Sequence, residues 1–453
     1  MSDDVVGCTA TELAALVKAR TVSPTEVVRA HLARIGAVDA RYGAFQVVCG
    51  EQALAEAAAL ERRDSLADLP LAGVPVAIKD HVDVAGLPTR NGSLASDPEP
   101  RPADHPVVAR LRRAGAIVIG KTRTPELCAW PFTDSSFGVT RSPWDPSRTA
   151  GGSSGGSGAA VAAGMVPIAH GTDGGGSIRI PAAACGLFGF KPGTGTAPSL
   201  DGRDWYGLLV NGPLATTVDD AAAMLAVMAD RPDLASPPPA ARTLRIALSF
   251  RTQLPVTLES RYRDATRLIA DQLSDAGHDV READPPYGAD PARALVARAM
   301  GGIAHDAQGL AVRQLERRSR PNLLIGRVTN RTGLLATRAW TRYRQAIAAF
   351  FNDFDLLLTP TLAAPPAPAE GWSRRGWLRN FRHTTWAGYT PAWNVAGNPA
   401  AALPVRVDDD HIPPSVQLVG PDGSEAVILA VCRQIEQRHP WRRHPPTVGI
   451  TSR

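Results

Sequence analysis

From Thr9 onward the apolar positions recur at helical spacing: Leu13, Leu16 and Val17 share one face, as do Val27, Val28, His31 and Leu32. Thr9 with Glu12 fits a capping box, and Ser23-Pro24-Thr25-Glu26 offers a cap, a helix-opening proline and a glutamate one turn in. Residues 9–62 are therefore expected to form an opening helical layer. The pattern then changes. Residues 71–78 (LAGVPVAI) form a short β-branched stretch broken by turn residues, residues 107–111 suit a helix, and residues 116–119 (AIVI) are a second buried-strand candidate. Strand and helix segments alternate to about residue 230. That alternation predicts an α/β sandwich, a mixed sheet covered by helices.

Residues 231–242, with Pro237-Pro238-Pro239, read as a surface connection. Beyond it, residues 244–250 alternate like a strand and residues 259–276 have helical periodicity. Helical segments continue to about Phe351, and residues 355–358 read as a strand ending at Thr359-Pro360. No internal repeat is visible. The expected organisation is a single domain over 1–453: a helical N-terminal layer (1–62), a core (63–230), and a C-terminal part (243–453) that completes the sheet and pocket.

Composition narrows the function classes. Hydrophobic residues make up 44% of the 453 and charged residues 21%, a soluble globular balance far from that of a disordered chain. The net charge of +5 is not gathered into a basic stripe and no recognition motif accompanies it, which argues against a nucleic-acid partner. Short clusters such as Glu316-Arg317-Arg318-Ser319-Arg320 read as solvated faces. The five cysteines are widely spaced and form no C-x-x-C pair, so neither a disulfide scaffold nor a metal site is expected. Met1-Ser2-Asp3-Asp4 is an acidic start unlike a secretory signal, and no apolar run is long enough to span a bilayer. The expectation is a cytoplasmic enzyme without cofactor.

The candidate chemistry lies in Gly151-Gly-Ser-Ser-Gly-Gly-Ser-Gly158 and in Gly174-Gly-Gly-Ser-Ile-Arg179. Glycine turns of this kind let backbone N–H groups converge on a developing negative charge. A Gly/Ser linker would not be followed directly by the helix-competent Ala159-Ala-Val-Ala-Ala163. Residues 152–156 formally satisfy the G-x-S-x-G elbow, with Ser154 as nucleophile, but an elbow should follow a buried strand and residues 143–149 are a proline-broken loop. No G-K-[ST] closes the run, which excludes a P-loop.

Residues 145–157 (DPSRTAGGSSGGS) and 171–181 (GTDGGGSIRIP), which contain these two segments, with Leu71-Ala-Gly-Val-Pro-Val-Ala-Ile-Lys-Asp80 upstream, resemble the amidase signature family. The likeness extends to residues 120–126, 358–361, 397–400 and 416–420, nearly the whole chain. It implies the amidase signature fold, a mixed twisted sheet with helices on both faces. It also implies an amidase in which Ser177 attacks the carbonyl, Ser153 follows a cis peptide and bridges to Lys79, and Lys79 is the base. The backbone N–H groups around Gly174, Gly175 and Gly176 would form the oxyanion hole, while Asp173, Arg179 and Ser154 support the loop. Lys79 must be neutral when it acts, which burial favours by disfavouring the cation. The ten histidines, His81, His170 and His383 among them, are expected to be structural or exposed.

Departures from the family concern the surroundings of the site. His81 stands where Asn is frequent, Gly174 where a bulkier residue is frequent, and the Tyr-Gly-Arg common after Lys191-Pro192 is missing. Residues 208–215 look closer to stand-alone amidases than to the glutamyl-tRNA amidotransferase subunit. Residues 372–393 interleave Trp377, Phe381, Trp386 and Tyr389 with arginines, as a lid over an aromatic or hydrophobic acyl group would, or as a packed surface loop would. Trp130 and Phe132 are weaker pocket candidates. The expected partner is a small-molecule amide, and a homodimer is compatible with this reading. The alternatives are an acyltransferase or amidotransferase subunit using the same acyl-enzyme, and a non-catalytic scaffold.

Overall fold

A computed structural model describes residues 5–199, 204–238, 242–253, 256–408 and 411–450. The acidic N-terminal tetrapeptide and Pro239 lie outside the described residues. Both predicted helix starts form. Thr9 Oγ1 accepts the Glu12 N–H at 3.1 Å while the Glu12 carboxylate accepts the Thr9 N–H at 2.7 Å, and Ser23 and Glu26 repeat the exchange at 3.1 and 2.8 Å. The helices run Ala10–Lys18 and Pro24–Tyr42, with a third at Gly50–Glu61. The opening layer is not wholly helical, however. Gly43, at φ +63°, ends the second helix in the left-handed conformation, and the β-branched stretch after it becomes strand β1, Phe45–Val48.

Strands β2 (Pro75–Lys79) and β3 (Ile117–Thr122) follow, then a short ribbon of β4 (Asp134–Ser135) and β5 (Gly138–Val139). The middle of the chain supplies β6 (Ile168–Asp173), β7 (Phe188–Lys191) and β8 (Val210–Ala215). The remainder supplies β9 (Arg245–Leu248), β10 (Asp279–Glu282), β11 (Leu356–Pro360), β12 (Ala400–Pro404) and β13 (Ser415–Val419). Eleven of these form one mixed sheet in the order β1-β3-β2-β6-β8-β7-β12-β13-β11-β9-β10. Every position of β2, β3, β6, β8, β11, β12 and β13 is buried, as expected of a sheet covered by helices on both faces.

The first predicted strand is shorter than its apolar run. Residues 71–74 make a turn, Val74 N–H to Leu71 O at 3.1 Å, and the ladder begins only at Pro75. β2 and β6 are parallel neighbours, with Val76 opposite Ile168 and Ala77 opposite Ala169. Their carboxyl ends therefore deliver Lys79 and Thr172-Asp173 to one place, the end of a parallel pair where open α/β sheets bind ligands. The stretch expected to connect the halves is anchored by a 3-10 turn at Pro232–Leu234, with Leu234 fully buried. Among the described residues no helix is long and apolar enough to cross a membrane.

The Glu316–Arg320 cluster is not a solvated face. Arg318 is fully buried, with Nη1 2.9 Å from Asp134 Oδ1, Nη2 2.6 Å from Asp134 O and Nε 2.9 Å from Glu316 Oε2. A guanidinium fork matches these acceptors, and sequence spacing gives no sign of a carboxylate arriving from Asp134. Truncation would leave two buried carboxylates without a counter-charge. Arg318→Ala is expected to cost about 3–5 kcal/mol, read as a fall in the urea midpoint, and a shift worth under about 1 kcal/mol would contradict this role.

Candidate active site

Lys79 is the last residue of β2, and its amine ends in the interior with no solvent exposure. Nζ lies 2.7 Å from Ser153 Oγ and 2.7 Å from Thr172 Oγ1, with Thr172 O at 3.4 Å. Burial lowers its pKa, opposed by the nearby Cys128 and Asp173. The next residue, Asp80, is neutralised locally by Lys121 Nζ at 2.7 Å, both side chains fully buried.

The glycine run is not a linker. Residues 151–163 are buried throughout, and the helix Gly155–Ala162 begins inside the run. The Gly152–Ser153 peptide is cis, as the family resemblance implies. Ser154 Oγ is fully buried and is occupied by the Thr172 backbone, lying 3.2 Å from its carbonyl and 3.3 Å from its N–H. The Ser154 N–H donates to the carbonyl of Ser177 at 3.2 Å, which joins the two serine-bearing segments. Ser177 itself is half-buried.

Asp173 and Arg179 hold the second segment. The Asp173 carboxylate accepts the N–H of Gly176 at 2.6 Å and of Ile178 at 3.2 Å, and it pairs with Arg179 Nε and Nη2 at 3.0 Å each. Burial would raise this carboxyl, but Arg179 outweighs it and holds the pKa far below the usual range. Arg179 also donates to Thr390 O at 2.9 Å, Gln417 Oε1 at 2.6 Å and Asn394 Oδ1 at 2.6 Å. The Asn394 amide returns a hydrogen bond to the Asp173 carbonyl at 2.9 Å.

The three glycines are not equivalent. The Gly176 N–H is committed to Asp173, whereas those of Gly175 and Ser177 have no hydrogen-bond acceptor among the described residues. A Cβ on Gly174 would meet the Trp205 ring at 3.0 and 3.1 Å and Leu209 at 3.2 Å. Trp205 thus occupies the space in which a bulkier residue would sit, and its indole N–H is fixed by Asp306 Oδ2 at 2.9 Å.

Several functional neighbours were invisible to sequence reasoning. Trp205, Asn394 and Asp306 come from separate elements and carry no local pattern, while Thr172 stands inside the signature segment 171–181 but had no role assigned there. Gln417 offered a signal, as a polar residue inside the apolar run of β13. His170 is structural as expected, buried against Asn211 Oδ1 at 2.9 Å, and His383 is exposed. His81 is instead fully buried within the site, 3.4 Å from both Thr172 Oγ1 and Asp306 Oδ2. Trp130 and Phe132 pack under the glycine loop, Phe132 stacking on Trp372 at 5.0 Å. Trp372, Trp386, Tyr389 and Trp393 are buried, whereas Leu378 and Phe381 are exposed, so the segment packs at its two ends and leaves residues 377–385 largely at the surface. Among the described residues no group of His, Cys, Asp or Glu is suited to hold a metal.

The architecture matches solved structures of amidases. The substrate complex of 6-aminohexanoate cyclic dimer hydrolase superposes with a TM-score of 0.86 at 29% identity, covering 98% of this chain and 99% of that one. A bacterial aryl acylamidase of the amidase signature enzymes gives 0.85 at 26% identity, covering 97% of each chain. The putative amidase AmiB2 of Mycobacterium tuberculosis (strain ATCC 25618 / H37Rv) is 43% identical over 433 residues, 92% of this chain and 93% of AmiB2. The Amidase family profile matches residues 26–429, and the chain belongs to that family.

The Asp173–Arg179 pair is fully buried on both sides, so Asp173→Asn leaves a buried guanidinium uncompensated. The expected loss at pH 7 is about 3–5 kcal/mol. A carboxyl with a depressed folded pKa stabilises above its unfolded value, near 3.9, and loses that contribution as pH falls through the folded pKa. Thermal melts should therefore show the variant far below wild type at neutral pH. The gap should narrow only in strong acid; a gap already closed at pH 5 would contradict the pairing.

Proposed function

We propose that this amidase cleaves a carboxylic amide through an acyl-enzyme on Ser177, with Ser153 and Lys79 as the proton relay. The observation that carries the reading is the buried Lys79 amine set 2.7 Å from Ser153 Oγ. Neutral Lys79 takes the Ser153 proton as Ser153 takes that of Ser177, whose Oγ attacks the carbonyl carbon. The oxyanion is met by backbone N–H groups of the Gly174-Gly175-Gly176-Ser177 turn, with those of Gly175 and Ser177 free to donate. Asp173 spends the Gly176 N–H on holding the shape of that turn. The relay then runs backwards to protonate the leaving amine, and water releases the acid.

Trp205, Leu209 and Leu295 lie closest to where side chains on Gly174 and Gly175 would project. Such a wall favours a substrate with an apolar or aromatic acyl group. The names of an aryl acylamidase and of a 6-aminohexanoate cyclic dimer hydrolase among the similar structures support an amide bond as the one cleaved.

Ser177→Ala is expected to abolish labelling by a fluorophosphonate probe, while Ser154→Ala, whose hydroxyl only clamps Thr172, retains it. Undiminished labelling of Ser177→Ala would sink the reading. Lys79→Ala should lower kcat/KM on an anilide substrate by about 10² to 10⁴. Because the relay is off while Lys79 is protonated, wild-type kcat/KM should climb with pH through a lysine value lowered by burial. A profile still rising at the ordinary lysine value would contradict this. Product analysis with and without an added amine separates hydrolysis, which yields free acid in water alone, from obligate acyl transfer, which yields product only when the amine is supplied.

A further inference from the structure

The helix Asp290–Asp306 turns one face toward the glycine turn and the loop beside it. Leu295, Arg298, Gly302 and Asp306 recur along that face at helical spacing. A Cβ on Gly175 would come within 3.9 Å of Leu295 Cδ1, and Arg298 Nη1 donates to the Tyr206 carbonyl. The Asp306 carboxylate accepts the Trp205 indole N–H at 2.9 Å. A Cβ on Gly302 would fall inside the pyrrole edge of the same indole. Glycine is a poor helix former, and here the missing side chain is what seats the ring.

The loop that carries Trp205 is bent to reach this seat. Trp205 and Tyr206 both adopt left-handed backbone, at φ +51° and +56°, a conformation that persists in residues with a side chain only where the surroundings hold it. Leu209 N–H donates to Asp204 O at 2.9 Å, and Tyr206 Oη donates to Asn330 Oδ1 at 2.9 Å. The Tyr206 ring lies 3.0 Å from where a Cβ on Gly301 would sit. The six-membered edge of Trp205 then ends 3.0 and 3.1 Å from the Cβ direction of Gly174. The indole is thus wedged between two glycines, with Gly302 at one edge and Gly174, the start of the glycine turn, at the other.

We propose that Trp205 is the specificity-determining residue of the acyl site: its ring excludes acyl groups branched at an sp³ carbon next to the carbonyl and admits straight-chain or planar ones. Gly302 and Asp306 are positioning residues that act through it. The inference rests on the reading that the oxyanion forms at the turn ending in Ser177. When that turn holds the carbonyl oxygen, the carbon bonded to the carbonyl is the nearest part of the acyl group, so its substituents meet the ring before anything further along the chain does. A flexible side chain would yield to them. An indole fixed by Asp306 and seated on Gly302 does not, and selectivity follows from the clash.

The test measures kcat/KM on 4-nitroanilides that share the leaving group and carry butyryl, benzoyl or isobutyryl. Wild type is expected to favour the first two over isobutyryl by about tenfold or more. Trp205→Ala should cut that preference about tenfold, chiefly by raising kcat/KM for isobutyryl. Gly302→Ala, which pushes the indole off its seat, and Asp306→Leu, which removes its acceptor, should relax the preference in the same direction, although neither residue lies in the glycine turn. Asp306→Asn keeps an acceptor oxygen and should keep the wild-type ratio. His81 leans on the same carboxylate at 3.4 Å, so Asp306→Leu is expected to lower every rate; only the ratio reports on Trp205. A ratio between substrates on one sample is also insensitive to how much of a variant is folded. No preference in wild type, or an unchanged ratio in Trp205→Ala, would overturn the proposal, as would selectivity that follows the aniline and not the acyl group. Equal relaxation in Asp306→Asn and Asp306→Leu would remove Asp306 from its positioning role. If instead the Ser177 reading fails, Ser177→Ala keeps its turnover and the Trp205-dependent ratio with it.

Discussion

The burial of one amine organises this site. Lys79 is carried into the interior at the end of β2, where its nitrogen has hydroxyls for neighbours at hydrogen-bond distance and no carboxylate among its hydrogen-bond partners. A lysine in that position is stable only if it gives up charge readily, since desolvation penalises the cation. The surrounding design keeps the nearest carboxylates occupied. Asp80 is paired with Lys121, Asp173 with Arg179, and Asp306 faces Trp205 and His81. Had any of these approached Nζ directly, an ion pair would have replaced the hydrogen bond to Ser153.

Rigidity comes from a second buried arrangement. Arg179 gathers acceptors from Asp173, six positions before it, and from Thr390, Asn394 and Gln417, more than two hundred positions after it. Those links fasten the glycine turn to the C-terminal part of the sheet and to the packed end of the aromatic segment. The glycine turn itself needs this support, since it presents backbone rather than side chains and has little packing of its own.

Much of the fold was legible because local rules point the same way over long stretches. The capping boxes at Thr9 and Ser23, the apolar runs of β2 and β3, and the helical periodicity of 259–276 each carry their own signal. The strand at Phe45–Val48 was missed because four residues offer too short a period, and it is pairing with β3 that makes it a strand. The arginine at 318 was misread for a related reason, because its partner Asp134 lies far away in sequence and a charge run looks the same whether solvated or buried.

The sequence by itself determined the family, the sheet-and-helix class and the identity of Lys79, Ser153 and Ser177 as the candidate residues, because their motifs are contiguous. Only the tertiary structure decided how deep Lys79 is buried, that Thr172 is its second partner, and that Trp205 fills the space beside Gly174. The physical reason is common to all of these. Burial, charge pairing and pKa depend on distances between segments, and a sheet that joins residue 45 to residue 419 sets those distances through long-range strand pairing that no local pattern contains.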